Sequence, residues 1–307
     1  MITSIFSKSK PINFILVFFI TALAFLIANI KFSTQPFTIT LVMEKFVLFF
    51  VCYSSVLLLN FIVSKNGLTK NNNYEILLYS LFLLAVLETT QNTNVLFANF
   101  FILLALRRIL SIRSQTKLNK KLFDSAFWIA IAALFYFWSI LFFVLIIVAL
   151  MLYTDNKLNH WIIPFIGIIT VFFFTVAASI MYYDSYFGAF KSLPYISYDF
   201  SYYNRAGFIV VIAVLLIFGL WSLIFYTRRI KKKKKALRPS FNLILFAFIM
   251  AVAVIVLAPK KDSSEFLFMF TPLAIIITNY IETIKKKWFR EVFLVALILL
   301  PFVTLML

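Results

Sequence analysis

The membrane topology of this chain is decided by one basic stretch, Arg228-Arg229-Ile230-Lys231-Lys232-Lys233-Lys234-Lys235-Ala236-Leu237-Arg238. It holds eight of the 29 Lys and Arg residues, and a long apolar segment lies on each side of it. Basic residues in short loops beside membrane helices stay on the cytoplasmic side, because moving them across the membrane is unfavourable. The rule therefore places residues 228–238 on the cytoplasmic side, and the other segments are oriented from them.

The composition is that of an integral membrane protein. Of the 307 residues, 64% are hydrophobic and 13% are charged, which leaves too little polar surface to cover a soluble globule. The net charge of +18 does not indicate nucleic-acid binding, because the cations cluster in short loops between apolar segments. One cysteine, Cys52, excludes an intramolecular disulfide, and one histidine, His160, excludes metal sites that need several imidazoles. Neither a cofactor nor a metal site is predicted.

The apolar segments predict an all-α fold: a polytopic transmembrane helical bundle of about ten segments, forming a single domain over residues 1–307. Ordinary helices are predicted at residues 11–30, 39–63, 74–87, 95–112, 161–181, 206–226, 241–258, 266–281 and 292–307. The first segment contains a motif that fits signal peptidase, but its apolar run continues beyond that motif to Ile30. We therefore expect this segment to be retained as a membrane helix.

Residues 125–153 are the segment that a single helix does not explain. They form a charge-free run of 29 residues, which as one helix would be about 43 Å long against a bilayer core of about 30 Å. A single crossing would also put the basic stretch outside, although the cationic loop before residue 125 must be inside as well. We therefore predict two short helices in a hairpin, with the break near Tyr136-Phe137-Trp138.

This topology predicts a protein of the cytoplasmic (inner) membrane with its N-terminus in the cytoplasm and its C-terminus in the periplasm. It puts 23 of the 29 Lys and Arg residues inside and 6 outside, as the positive-inside rule requires. No position at the predicted membrane centre carries a charge, so the sequence gives little support to an ion-coupled transporter.

The outer loops hold the candidate chemical groups. Four carboxylates are candidate general acids or bases for a sugar hydroxyl: Glu44, Glu88, Asp184 and Asp199. Four cations are candidate phosphate ligands: Arg205, Lys191, Lys260 and Lys261. Catalysis requires the carboxylates to converge on one outer cavity, with Arg205 or Lys260 within reach. Scattered carboxylates would be ordinary solvated loop charges and would indicate a scaffold.

The outer loop at residues 182–205 is unusually rich in Tyr and Phe. Such residues are typical of an interfacial belt, because tyrosine rings favour the headgroup layer of a membrane. The same residues could instead form a platform over a ligand entrance.

The opening residues resemble those of an uncharacterised family of Bacteroidota multi-pass inner-membrane proteins. They are Met1-Ile2-Thr3-Ser4-Ile5-Phe6-Ser7-Lys8-Ser9-Lys10-Pro11-Ile12-Asn13, and the length and spacing of the helices fit that family over the whole chain. Its members have sometimes carried the label beta-carotene monooxygenase. That chemistry, in the family from which the label is borrowed, uses an iron held by four histidines. A chain with one histidine is therefore not expected to be an iron oxygenase.

Two further segments are similar to polyprenyl-phosphate-dependent membrane glycosyltransferases of the GT-C class. They are residues 123–153 and Lys260-Lys261-Asp262-Ser263-Ser264-Glu265-Phe266-Leu267-Phe268-Met269-Phe270-Thr271-Pro272-Leu273. This resemblance implies a GT-C-like layout with an outward-facing site. Such enzymes usually place an acidic residue in the loop after the first helix. Here residues 31–38 contain none, and Glu44 is the first carboxylate after that helix.

Together these observations predict a non-catalytic assembly or partner-binding component of cell-envelope biogenesis on a GT-C-like scaffold. The alternative is a glycosyltransferase that moves a sugar from a polyprenyl-phosphate donor at the periplasmic face, and a second alternative is a transporter. The expected partners are the lipid bilayer, a polyprenyl-phosphate-linked substrate and other envelope membrane proteins.

Overall fold

The computed structural model describes residues 2–32, 38–153, 158–188 and 195–306. It is 84% helical, and this described part contains no strand, which confirms the all-α prediction. The α-helices are α1 Ile2–Phe6, α2 Pro11–Phe32, α3 Ile39–Asn66, α4 Tyr74–Ala85, α5 Thr93–Ser111, α6 Leu118–Phe135, α7 Val144–Tyr153, α8 Leu158–Tyr183, α9 Ala206–Lys232, α10 Arg238–Leu257, α11 Leu267–Ile281 and α12 Lys287–Met306. Eight helices of the described part are long and apolar enough to cross a membrane.

Two short helices, α4 and α11, form the centre of the bundle. Every residue of both helices is buried. They pack against each other through aromatic side chains, with the Phe270 ring 6.2 Å from the Tyr79 ring and 5.5 Å from the Phe82 ring. Around them lie α2, α3, α5, α9, α10 and α12. Because other helices and not lipid cover all sides of α4 and α11, this pair is the core of the bundle.

The outer helices expose large apolar side chains on the face that points away from this core. Phe19 on α2, Phe50 on α3 and Phe173 on α8 are all exposed, as are Leu and Ile residues of α9 and Val and Phe residues of α12. An apolar surface of this extent is unfavourable in water, but it is stable when the acyl chains of a membrane cover it. The bundle is therefore built as a membrane protein.

Residues 125–153 fold into two arms. Helix α6 ends before Tyr136, whose backbone is extended (φ −142°, ψ 103°), and a 3-10 helix, Phe137–Phe143, leads into α7. The arms return to the same end of the bundle, because Gln115 Nε2, just before α6, donates a hydrogen bond to the carbonyl oxygen of Tyr153, 2.7 Å away, at the end of α7. The break lies where the sequence predicted it.

Helix α8 packs on the outside of α6 at a very short distance. A Cβ atom at Gly167 would lie 3.0 Å from both the Ala126 Cβ and the carbonyl oxygen of Phe123. Glycine and alanine at this crossing let the two backbones approach, which is how helices associate in lipid without a hydrophobic driving force.

A buried ion pair closes the end of the bundle that carries the basic stretch, hereafter the basic end. The Arg229 guanidinium lies 2.7 Å from a carboxylate oxygen of Glu282 and also donates to the carbonyl oxygen of Asn279, 2.6 Å away. The other Glu282 oxygen accepts from the backbone N–H of Lys70 (2.6 Å) and from the Asn72 amide (2.8 Å). The pair thus joins α9, the end of α11 and the loop before α4.

This geometry predicts that the two adjacent arginines of the basic stretch differ in their effect on stability. Arg229→Met leaves the buried Glu282 carboxylate without its charge partner and should lower the free energy of unfolding by about 3 kcal/mol. Arg228 is exposed, so Arg228→Met removes the same charge and should cost about 0–1 kcal/mol. Thermal unfolding of both variants in one detergent tests this, and equal losses would contradict it.

Candidate functional site

A polar cluster lies at the end of the bundle opposite the basic end. Helix α11, about 22 Å long, runs between the two ends, because its last residue precedes Glu282 and its first residue follows Glu265. The cluster surrounds Glu265 and contains side chains from four separate parts of the chain. Its members, hereafter the Glu265 cluster, are Asn92, Tyr136, Tyr203, Asp262, Ser264 and Glu265.

The turn that leads into α11 is held by side-chain hydrogen bonds. One Asp262 oxygen accepts from the Ser264 backbone N–H (3.1 Å) and hydroxyl (2.5 Å), which starts the helical turn. The Asn92 amide donates to the other Asp262 oxygen and to the Ser264 hydroxyl, both at 3.2 Å. Asn92 also caps α5, since its side-chain oxygen accepts from the Val95 N–H (3.3 Å). The start of α11 is therefore fixed to the start of α5.

Glu265 is 0% exposed, and its two carboxyl oxygens have different environments. The Tyr203 hydroxyl donates to one of them. The other oxygen has no partner in the part of the chain that the structure describes, and neither does the buried hydroxyl of Tyr136, which lies within electrostatic reach of Glu265. Because a buried polar atom without a hydrogen bond is costly, this oxygen is suited to holding a proton or accepting a bond from a ligand.

Aromatic rings hold Tyr203 in place. Its ring lies 5.1 Å from the Phe208 ring and 5.6 Å from the Phe266 ring, and those two rings are 5.3 Å apart. Burial, and secondarily the Glu265 carboxylate, raises the pKa of the Tyr203 hydroxyl. The hydroxyl therefore stays protonated and remains a donor.

Beside this cluster lies a cavity of about 180 Å³ that is lined by one carboxylate and one guanidinium side chain. Glu88 belongs to a 3-10 helix after α4, and Arg205 is the residue directly before α9. The Arg205 guanidinium lies over the Tyr202 ring at 4.0 Å and donates to the Tyr202 hydroxyl at 3.3 Å. No ion pair within 4 Å joins Glu88 to Arg205 in the described residues, so each charge is available to a ligand. The other lining residues are Ala85, Leu87, Ala206, Gly207, Phe208, Val211, Thr304 and Leu305.

The remaining predicted carboxylates lie away from this cavity. Glu44 is exposed on α3, and Asp184 is exposed just after α8. Asp199 is exposed too, and the backbone N–H of Ser201, which donates to it at 3.0 Å, lowers its carboxyl pKa. Glu88 and Arg205 thus line the same cavity, whereas Glu44, Asp184 and Asp199 do not line it.

The predicted lysine ligands differ in the same way. Lys261 is buried, and its ammonium donates to the carbonyl oxygens of Ile255 (2.7 Å) and Val256 (2.6 Å) at the end of α10, where a cation is favourable. Burial lowers the pKa of the Lys261 ammonium. Lys260 is exposed, and Lys191 lies outside the described residues.

Sequence reasoning did not select the most buried acids. These acids are Glu265 and Glu75. Glu75 is 1% exposed in the first turn of α4, and both of its carboxyl oxygens lack a partner among the described residues. One signal could have found them, because each acid opens a short segment that carries no other charge: residues 74–87 and residues 265–281.

The Glu265 cluster predicts an unequal response in two neighbouring tyrosines. Tyr203→Phe leaves a buried carboxyl without its donor and should lower the free energy of unfolding by about 1–3 kcal/mol. Tyr202→Phe removes a hydroxyl from a partly exposed side chain and should cost about 0.5 kcal/mol or less. Adding Glu265→Leu to Tyr203→Phe should restore part of the loss, as thermal unfolding can measure. Strictly additive losses would contradict the contact.

Comparison with known proteins assigns a family. No curated protein and no solved structure matches the chain. A family model described as "Family of unknown function (DUF6427)" matches residues 1–306. Because the match covers nearly the whole chain, the protein belongs to this family.

Proposed function

We propose that this protein is a multi-pass inner-membrane component of cell-envelope biogenesis, with about ten membrane segments on a GT-C-like scaffold, that binds a partner membrane protein and is not itself catalytic. Its N-terminus would lie in the cytoplasm and its C-terminus in the periplasm. The observation that carries the proposal is an exposed aromatic surface at the end of the bundle that holds the Glu265 cluster. This aromatic surface consists of Tyr182, Tyr183, Tyr186, Phe187, Tyr195, Tyr198 and Phe200, all of them exposed.

The aromatic surface is anchored to the bundle. The Trp138 indole N–H, in the turn of the hairpin, donates to the carbonyl oxygen of Tyr195 (3.3 Å), and the Ser179 hydroxyl on α8 donates to the carbonyl oxygen of Ser185 (2.6 Å). The Lys261 ammonium lies 4.9 Å from the centre of the Phe200 ring. Anchored aromatic side chains are enriched among the residues that dominate binding energy, because they bury a large area at small entropic cost.

The two carboxylates within this surface favour a protein partner over lipid headgroups. Asp184 and Asp199 are exposed within it, and the hydrogen bond from Ser201 keeps Asp199 ionised. An anionic headgroup layer would repel these two carboxylates, whereas basic residues of a partner would pair with them. The partner surface that fits is therefore apolar with basic residues at its rim.

The arrangement of the predicted carboxylates also favours binding over catalysis. A catalytic site was expected to gather Glu44, Glu88 and one of the two loop aspartates around one cavity. Glu88 lines a cavity, and the others lie elsewhere. The most buried acid of this end, Glu265, is 0% exposed and accepts a hydrogen bond from Tyr203.

Glycosyl transfer from a polyprenyl-phosphate donor is the second candidate function, favoured by the cavity that Glu88 and Arg205 share. Glu88 would accept the proton of an acceptor hydroxyl, and Arg205 would bind the donor phosphate. The apolar residues of that cavity would contact the lipid part of the donor.

Photocrosslinking in living cells tests the proposal. Benzoylphenylalanine introduced at Tyr186 or Tyr198 should yield discrete protein adducts, because these positions would face the partner. The same residue introduced at Phe46 or Phe173, which are equally exposed but lie on the apolar faces of α3 and α8, should yield none. Identical adducts at all four positions, or no adduct at Tyr186 and Tyr198, would contradict partner binding.

Transfer of sugar by the purified protein, abolished by Glu88→Gln, would establish the enzymatic alternative.

A further inference from the structure

Five cations converge on one pocket at the basic end. The pocket has a volume of about 320 Å³ and is formed by the end of α3, the end of α5, the 3-10 turn after it and the start of α6. Of its ten described lining residues, none is acidic. The five cations are Lys65, Arg107, Arg108, Arg113 and Lys121, and the pocket that they line is hereafter called the cationic pocket.

Most contacts of these cations are with neutral groups. The Lys121 ammonium donates to the carbonyl oxygen of Ser111 (2.6 Å) and to the hydroxyl of Ser114 (2.5 Å). Arg107 and Lys65 both lie over the Phe61 ring, at 4.9 Å and 5.2 Å from its centre. Such partners orient a cation without cancelling its charge.

One of the five cations has an acidic partner in the described part of the chain. Arg108 lies 3.0 Å from a carboxylate oxygen of Asp124. The Lys121 ammonium is within electrostatic reach of both Arg108 and Lys65, so the pocket holds mutually repelling charges. An anion bound there would relieve this repulsion, and a phosphate group would accept hydrogen bonds from several of the cations at once.

The position of the pocket identifies the kind of anion. Phe61, which carries two of the cations, is 38% exposed, and Leu57, one turn earlier on the same face of α3, is 39% exposed. Both belong to the apolar surface that lipid covers, so the pocket opens where that surface ends. A ligand with a phosphate headgroup and acyl chains satisfies both parts of the site.

We propose that the cationic pocket binds the phosphate of an anionic phospholipid, whose acyl chain lies along α3 beside Phe61 and Leu57. Retention of basic loops in the cytoplasm would require only that these cations be solvated on one side of the membrane. Topology alone does not require that cations from three helices converge on a single pocket, as they do here. It gives the protein a specific lipid site at the end opposite the aromatic surface.

Native mass spectrometry of the detergent-solubilised full-length protein tests this site. Phosphatidylglycerol should remain bound as one retained molecule, and phosphatidylcholine should not. The double variant Lys65→Gln/Arg113→Gln should bind phosphatidylglycerol about thirtyfold more weakly. Both side chains are exposed, so the variant should keep the thermal unfolding midpoint of the wild type. The control, Lys231→Gln/Lys232→Gln, removes two exposed charges from the basic stretch and should leave retention unchanged.

Several outcomes would overturn the proposal. Equal losses in the test and control variants would show that net charge alone retains the lipid. Equal retention of phosphatidylcholine would show that the pocket does not recognise the phosphatidylglycerol headgroup. Displacement of phosphatidylglycerol by equimolar inorganic phosphate would assign the pocket to a free phosphate ion and not to a lipid.

Discussion

Lipid offers no hydrogen bonds, and this constraint governs where the charged groups of the protein lie. Every charge must reach an end of the bundle or find a partner inside it, because an unpaired charge in hydrocarbon is strongly unfavourable. At the basic end, Arg229 is paired with Glu282. At the other end, Glu265 takes its hydrogen bond from Tyr203. Between these two points run α4 and α11, whose side chains are nearly all apolar and are covered by the other helices.

The two ends of the bundle differ in chemistry, and each suits a different ligand. The basic end gathers cations around a pocket that opens beside an apolar helix face, which suits an anionic lipid. The opposite end presents exposed aromatic rings and two carboxylates, above a buried acid and a cavity that holds Glu88 and Arg205. A protein attached to lipid at one surface and to a partner at the other would act as a positioned docking component in the membrane.

The helices could be predicted closely from sequence, whereas the site could not. The first predicted membrane helix, residues 11–30, corresponds to α2 (Pro11–Phe32), and the hairpin breaks at Tyr136 as predicted. Hydrophobic run length carries that information for the long helices, because a helix that crosses the membrane must match the thickness of the bilayer. Which helix ends meet is a property of packing. The contacts of Tyr203 with Glu265 and of Asn92 with Asp262 join residues far apart in the chain. Charge alone also does not show that the Lys261 ammonium donates to carbonyl oxygens at the end of α10.

The most direct test of this account asks on which side of the membrane each end of the bundle lies. Lys234 and Lys260 are both exposed lysines, one in the basic stretch and one beside the Glu265 cluster. Each can be replaced by cysteine in a Cys52→Ala background, and spheroplasts can then be labelled with a membrane-impermeant maleimide. The account predicts that the Lys260→Cys variant is labelled in intact spheroplasts and that the Lys234→Cys variant is labelled only after lysis. The reverse pattern, or labelling of both variants before lysis, would contradict it.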